Sequence, residues 1–104
     1  MTTRAQLPPK LVAETKLYTF DFTSELPVGE TIVAASVSVT TYSGTDTSPN
    51  AMISGAEVIS GAQVTQLLSG GTLGVLYYVT CTVTLSDDQV LVQTGYLAVV
   101  QAVP

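Results

Sequence analysis

Val75-Leu76-Tyr77-Tyr78-Val79-Thr80-Cys81-Thr82-Val83-Thr84-Leu85 alternates along its whole length. Its odd positions are Val, Tyr, Val, Cys, Val and Leu, while the even positions from Thr80 to Thr84 are all threonine. Successive side chains of an extended chain leave opposite faces, so this period of two predicts a half-buried strand with its odd residues inward. β-Branched and aromatic side chains suit such a surface. Turn-forming clusters bound the stretch, Ser69-Gly70-Gly71 and Gly74 before it and Asp87-Asp88 after it.

The same period recurs on either side. From Thr31, the odd residues Val33, Ala35, Val37 and Val39 alternate with Ala34, Ser36, Ser38 and Thr40, so this strand is expected to turn its valines inward. Lys16 to Phe22 places Tyr18, Phe20 and Phe22 on one face, the expected core side. Gln63 to Leu68 puts Val64, Gln66 and Leu68 together, a mixed pattern that suits a sheet edge. Glu57 to Ser60, between Gly55 and Gly61, is expected to form a further short strand. Gln89 to Val100 is apolar on both faces, so one face is expected to meet another subunit. Turn clusters at Pro27-Val28-Gly29, Tyr42-Ser43-Gly44 and Ser48-Pro49-Asn50 complete the spacing, and no segment carries a helical period. Six or seven short strands without helices predict an all-β fold, a single immunoglobulin-like antiparallel β-sandwich of about seven strands. Tyr77 stands just after a Gly-rich turn, where such domains place a tyrosine whose hydroxyl bonds back to the preceding loop.

Composition narrows the function. The chain has 104 residues, enough for one domain that buries a core unaided by disulfides or metal. It is 46% hydrophobic and 11% charged, against about 25% charged in ordinary globular chains. Histidine and tryptophan are absent and Cys81 is the single cysteine, so the commonest general base, the zinc ligand sets and a redox pair are all missing. Cys81 reads as a small buried hydrophobe. Gly70-Gly71-Thr72-Leu73-Gly74 lacks the Lys-Ser/Thr of a phosphate loop and leads into a strand instead of a helix. Asp87-Asp88 is the only adjacent carboxylate pair. It suits a turn, and as an oxygen-ligand pair it would also suit Ca²⁺. No catalytic, metal or cofactor-binding residues are assigned, and the expectation is a protein that is not an enzyme. No apolar run exceeds five residues and the start carries no apolar targeting core, so the chain is expected to be made in the cytoplasm and to stay out of the membrane. Its mean hydropathy of +0.44 fits coverage by neighbouring subunits, a homo-oligomer.

Charge divides the chain. Arg4, Lys10 and Lys16 are its three basic residues and all lie in the first sixteen positions with Glu14, giving that segment +3 − 1 = +2. Residues 17–104 hold seven carboxylates and no Lys or Arg, and the two parts sum to −5. A body without cations cannot neutralise phosphates, so nucleic acid is excluded as a partner. Pro8-Pro9 favours an extended course. Residues 1–16 are therefore expected to form an extended N-terminal arm ahead of a sandwich at 17–104, with Arg4, Pro8, Pro9, Lys10 and Lys16 as the candidate subunit interface.

Several short strings, in order, carry a resemblance. They are Phe20-Asp21-Phe22-Thr23, Leu26-Pro27-Val28-Gly29-Glu30-Thr31-Ile32, Ile53-Ser54-Gly55, Gln63-Val64, and Leu68-Ser69-Gly70-Gly71-Thr72-Leu73-Gly74 leading into Tyr77-Tyr78-Val79-Thr80-Cys81. Over residues 17–90 the chain resembles small immunoglobulin-like virion structural proteins of tailed bacteriophages, departing from them where Asp87-Asp88 replaces an Asp-Gly hairpin. The resemblance implies a virion location and other virion proteins as partners, either the major capsid protein or neck and tail proteins. Capsid decoration, as a cement that stabilises the shell, is the first expectation; a neck- or tail-associated component is the alternative. An immunoglobulin-like adhesion or carbohydrate-binding module is a further one, for which Tyr42, Tyr78 and Tyr96 would supply an aromatic platform, against sheet packing as their other use.

Overall fold

Each alternating run forms a strand, and the computed structural model describes residues 2–100, with the backbone alone described for residues 2–6. The strands are β1 (Thr2–Gln6), β2 (Lys10–Leu11), β3 (Thr15–Asp21), β4 (Ile32–Ser43), β5 (Ile53–Ser60), β6 (Gln63–Ser69), β7 (Leu76–Leu85) and β8 (Val90–Val100). One sheet has the order β1-β8-β7-β4, with β2 also on β8; the other has the order β3-β6-β5. The two form an all-β sandwich. Its interior holds Tyr18, Phe20 and Phe22 of the β3 run, Val64 and Leu68 of β6, and the odd residues Tyr77 to Leu85 of β7. β7 alternates buried and half-buried along its full length, as its threonines require. Cys81 is fully buried, and burial pushes its thiol up to about 12, with Glu57 adding to the shift.

Four details differ from the sequence reading. Val33 is 58% exposed while its neighbour Ile32 is buried. A register shift against β7 between Ile32 and Ala34 inserts Val33 as an extra residue and turns it outward, leaving Ala35 and Val37 half-buried and Val39 fully buried. β6 is the middle strand of its sheet, not an edge. The polar residue that suggested an edge, Gln66, is buried, and its Nε2 donates to the carbonyls of Ser54, Gly55 and Leu67 at 3.0–3.3 Å, the β5 side of which is opened by a bulge between Ser54 and Val58. A turn of 3-10 helix spans Pro49–Met52, where only a turn was expected; Pro at its start suits the first helical position, and Met52 drops into the core. The pairing is antiparallel except at the amino end, where β1 and β2 run parallel to β8.

That parallel addition depends on close approach. A Cβ at Gly95 would stand 2.7 Å from Leu7 Cγ, so the bare glycine leaves room for Leu7 to enter the core beside β8. The Leu7 amide donates to Tyr96 O at 2.9 Å. At the β7–β8 hairpin the Asp88 amide donates to Leu85 O, the Leu85 amide to Gln89 O, and Asp88 sits at φ +70°. This is the three-residue loop with one left-handed residue, a position Asp tolerates, so no Asp-Gly pair is required. Asp87 Oδ1 accepts the Gln89 amide at 3.2 Å, the bond of an aspartate in a turn.

A candidate interaction surface

The even residues of β7 and their cross-strand partners form the outer face of the larger sheet. The register sets Ser36 opposite Thr82, Ser38 opposite Thr80 and Thr40 opposite Tyr78 on one side. On the other side Val92 meets Thr82, Thr94 meets Thr80, Tyr96 meets Tyr78 and Ala98 meets Leu76. Across β4, β7 and β8 this face carries no ionisable acid or base other than tyrosine. It is a sheet of hydroxyls and small apolar groups.

Three tyrosines gather there. Tyr42 and Tyr78 stack with ring centroids 5.6 Å apart and planes 25° apart. Tyr96 lies 5.0 Å from each, edge-on to Tyr42 and tilted to Tyr78. A second register shift, between Thr41 and Ser43, swings Tyr42 out over the neighbouring strand, and it is 58% exposed. Centroid distances of 4.5–7 Å in offset and edge-on geometry are those that add attraction beyond area burial. Sequence spacing scattered these rings over three segments, yet each of Tyr78 and Tyr96 alternates with residues of the buried face, which was the available signal that both point outward.

The carboxylates lie away from this face. Asp21, Glu25, Glu30, Asp87 and Asp88 collect at one end of the sandwich. Gln93 Nε2 donates to Asp21 O and Glu25 Oε2, both at 2.7 Å, and Ser86 Oγ donates to Glu30 Oε1 at 2.6 Å beside the β7–β8 hairpin. Asp21 also accepts the Thr23 hydroxyl and amide, which hold its carboxyl below the ordinary value. At the opposite end the Tyr77 hydroxyl accepts the Thr72 amide at 2.8 Å and donates to Asp46 Oδ2 at 2.6 Å. Tyr77 thus bonds back to the loop before it, as its position suggested. The bond lowers the Asp46 carboxyl, while burial and Asp46 raise the phenol.

The proposed interface residues fall in separate places. Lys10 has 0% exposure, and its Nζ donates to Gly70 O at 2.6 Å, Leu11 O at 2.7 Å and Val12 O at 3.3 Å. Its ammonium is used within its own chain, and desolvation holds it below the ordinary lysine value despite Glu14. Pro8 and Pro9 are exposed, and their carbonyls accept the Tyr18 hydroxyl at 2.8 Å and Lys16 Nζ at 3.3 Å. The Arg4 side chain lies outside the described residues; its backbone is in register with Thr94. Among the described residues no group of three or more Cys, Asp or Glu could hold a metal ion, and no helix is long and apolar enough to cross a membrane.

No curated protein matches the chain. A family model, the podophage GP4 fiber-tail adaptor protein gp77, matches residues 10–98, which takes in every strand from β2 to most of β8. The match supports a phage structural protein and favours the tail-associated alternative; it gives no support to capsid decoration, the first expectation from the sequence. Over those 89 of 104 residues the chain belongs to the podophage GP4 fiber-tail adaptor gp77 family.

Proposed function

We propose that this protein is a non-enzymatic structural adaptor of a phage tail, joining a fibre to the tail body by protein contacts in the assembled virion. The family match carries the reading. The uncharged outer face of β4, β7 and β8, centred on Tyr42, Tyr78 and Tyr96, supports it: aromatic residues are enriched and charges depleted at the centres of protein interfaces. Pro8, Pro9 and Lys16 would add a secondary contact at the end of the sandwich away from the carboxylate cluster.

The test is a phage whose gene for this chain is disrupted. Particles with filled heads and tails but no fibres, repaired by adding the purified protein, are the expected result. Fibred particles with heat-fragile heads would overturn the tail assignment and restore the capsid one. The tyrosine cluster also favours a second reading, adhesion to carbohydrate, through stacking of sugar rings on Tyr42. Saturable binding of the isolated domain to a glycan array, lost in Tyr42→Ala, would support that reading.

A further inference from the structure

Three valines stand exposed at the end of the sandwich where the carboxylates gather. The bulge turns Val33 outward, Val90 is 58% exposed at the start of β8, and Val28 is fully exposed on the turn before β4. Ala34 and Val90 flank Thr84 in register from either side. Strands lie about 4.8 Å apart, so this row is about 10 Å across, and it continues the uncharged face that carries Tyr78 and Tyr96. Beyond the row come Glu30 and the Asp87-Asp88 hairpin. The Ser86 hydroxyl donates to Glu30 Oε1, and the Ser86 amide donates to Thr31 O at 2.9 Å, which draws the two loops together. The chain offers this acid border little positive charge. Asp21, Glu25, Glu30, Asp87 and Asp88 are five carboxylates, and with Arg4, carried by β1 opposite Thr94, counted in full, −5 + 1 = −4 remains. Lys10 is in register with Val99, nine residues along β8 from Val90 and about 30 Å away at the strand rise. Lys16, in register with Leu68, is at that far end too, where its Nζ donates to Pro9 O. In about 0.1 M salt charges act over about 10 Å, so neither lysine neutralises the border.

We propose that this end of the face docks a protein other than a copy of this chain, one whose contact surface is apolar and carries Lys or Arg along one border. The inference rests on the adaptor reading and names the chemistry of one of the adaptor's partners. Val28, Val33 and Val90 would form the dry part of the contact, and Glu30, Asp87 and Asp88 its charged rim, the usual division of a protein interface. Complementary charge at a rim speeds the approach and fixes the orientation more than it adds affinity. Here the acid lies at one end of the face and the tyrosines at the other, so the partner is seated in one direction along β7. Charge also decides against a second copy, which brings a net −5 to a border that is already negative.

The experiment follows association of the full chain with immobilised fibreless particles and with purified fibre protein, in NaCl from about 50 to 500 mM. Association with one of the two is expected to slow at least about tenfold across that range. The triple variant Glu30→Gln, Asp87→Asn, Asp88→Asn keeps an acceptor oxygen for Ser86 and for Gln89, and asparagine suits the left-handed backbone at position 88. It should retain the parent's circular dichroism, associate at least about tenfold more slowly at the lowest salt and lose the salt dependence. Val90→Ser, at an exposed position, should speed dissociation and leave the salt dependence as it is. Glu14→Gln, at the far end beside Leu11, should change neither. A triple variant that matches the parent in rate and salt dependence would overturn the inference and leave the adaptor role standing. So would sedimentation velocity showing two copies joined in a contact that Val90→Ser abolishes. A chain that binds neither particles nor fibre protein would overturn the adaptor reading and this inference with it.

Discussion

Tyr77 and Asp46, 31 positions apart, share a hydrogen bond of 2.6 Å that ties the buried end of β7 to the loop following β4. The same hydroxyl accepts the Thr72 amide, so one oxygen fastens two loops to the core. Removing it takes one partner from a backbone donor and from a carboxylate together. Tyr77→Phe keeps the ring and should cost about 0.5–1.5 kcal/mol, the net worth of a typical intramolecular hydrogen bond, because water can reach the exposed Thr72 and the half-buried Asp46. Urea denaturation with an unchanged slope and a lower midpoint would bear this out; an unchanged midpoint would contradict it.

The same pair sets a pH dependence. The Asp46 carboxyl is held below its ordinary value of 3.8, chiefly by Tyr77, and Asp21 is lowered by Thr23. For a carboxyl depressed on folding, the stabilisation is present above the unfolded value and is lost as pH falls through the folded one. Stability should therefore fall below about pH 4, and less steeply in Tyr77→Phe. At the other limit, Tyr18 is raised to about 12 by burial and by Glu14, so its contribution holds below the ordinary phenol value of 10.0 and is lost above it. Thermal melts across pH 2–12 would read both limbs.

Gly95→Ala tests the seat of the amino-terminal strand. The new methyl would stand 2.7 Å from Leu7 Cγ, too close for both to stay. Displacing Leu7 should cost about 1–3 kcal/mol, the usual range for overpacking. Hydrogen exchange should show residues 2–7 losing protection while β7 keeps it. Uniform loss across the sandwich would mean that Leu7 is not separable from the core.

Lys10→Met retains the apolar stem and deletes the ammonium that bridges Gly70, Leu11 and Val12. Those carbonyls lose a common donor, and a loss of about 1–3 kcal/mol is expected. A variant as stable as the parent would show that desolvating the ammonium cancels what its hydrogen bonds contribute.

Cys81 should be unreactive in the folded protein. It is fully buried and its thiol is pushed up to about 12, so the nucleophilic thiolate is scarce at neutral pH. A thiol reagent should label it at the rate of global opening, and labelling should become fast above the urea midpoint. Rapid labelling of the native state would place Cys81 at a mobile surface instead.

Much of the sandwich is legible in the sequence because alternation in β3, β6 and β7 reports directly on burial: Tyr18, Phe20, Val64 and the odd residues of β7 are where the pattern puts them. Alternation fails where the backbone skips a beat. The bulge beside Val33 and the one at Tyr42 shift the face without changing residue type, and nothing in composition marks them. Gln66 misleads in another way, since a buried amide and an edge amide look alike until its three carbonyl partners are known. The tyrosine cluster is a tertiary fact. Its members lie far apart along the chain, and only the register of β4, β7 and β8 brings them within 5–6 Å. Lys10 likewise reads as a surface cation until the Gly70 carbonyl, sixty residues away, is found against it.

β8 receives β7 from Val90 to Ala98 on one flank and β1 and β2 on the other. Ladder bonds lie across the strand axis, so a pull applied along β8 loads both flanks at once and must shear many bonds together instead of opening them one by one. In the adaptor role proposed above, the chain would be pulled by whatever the fibre grips. With β8 bonded on both flanks, a load of that kind along β8 would meet it as it meets a rivet, in shear on both sides at once.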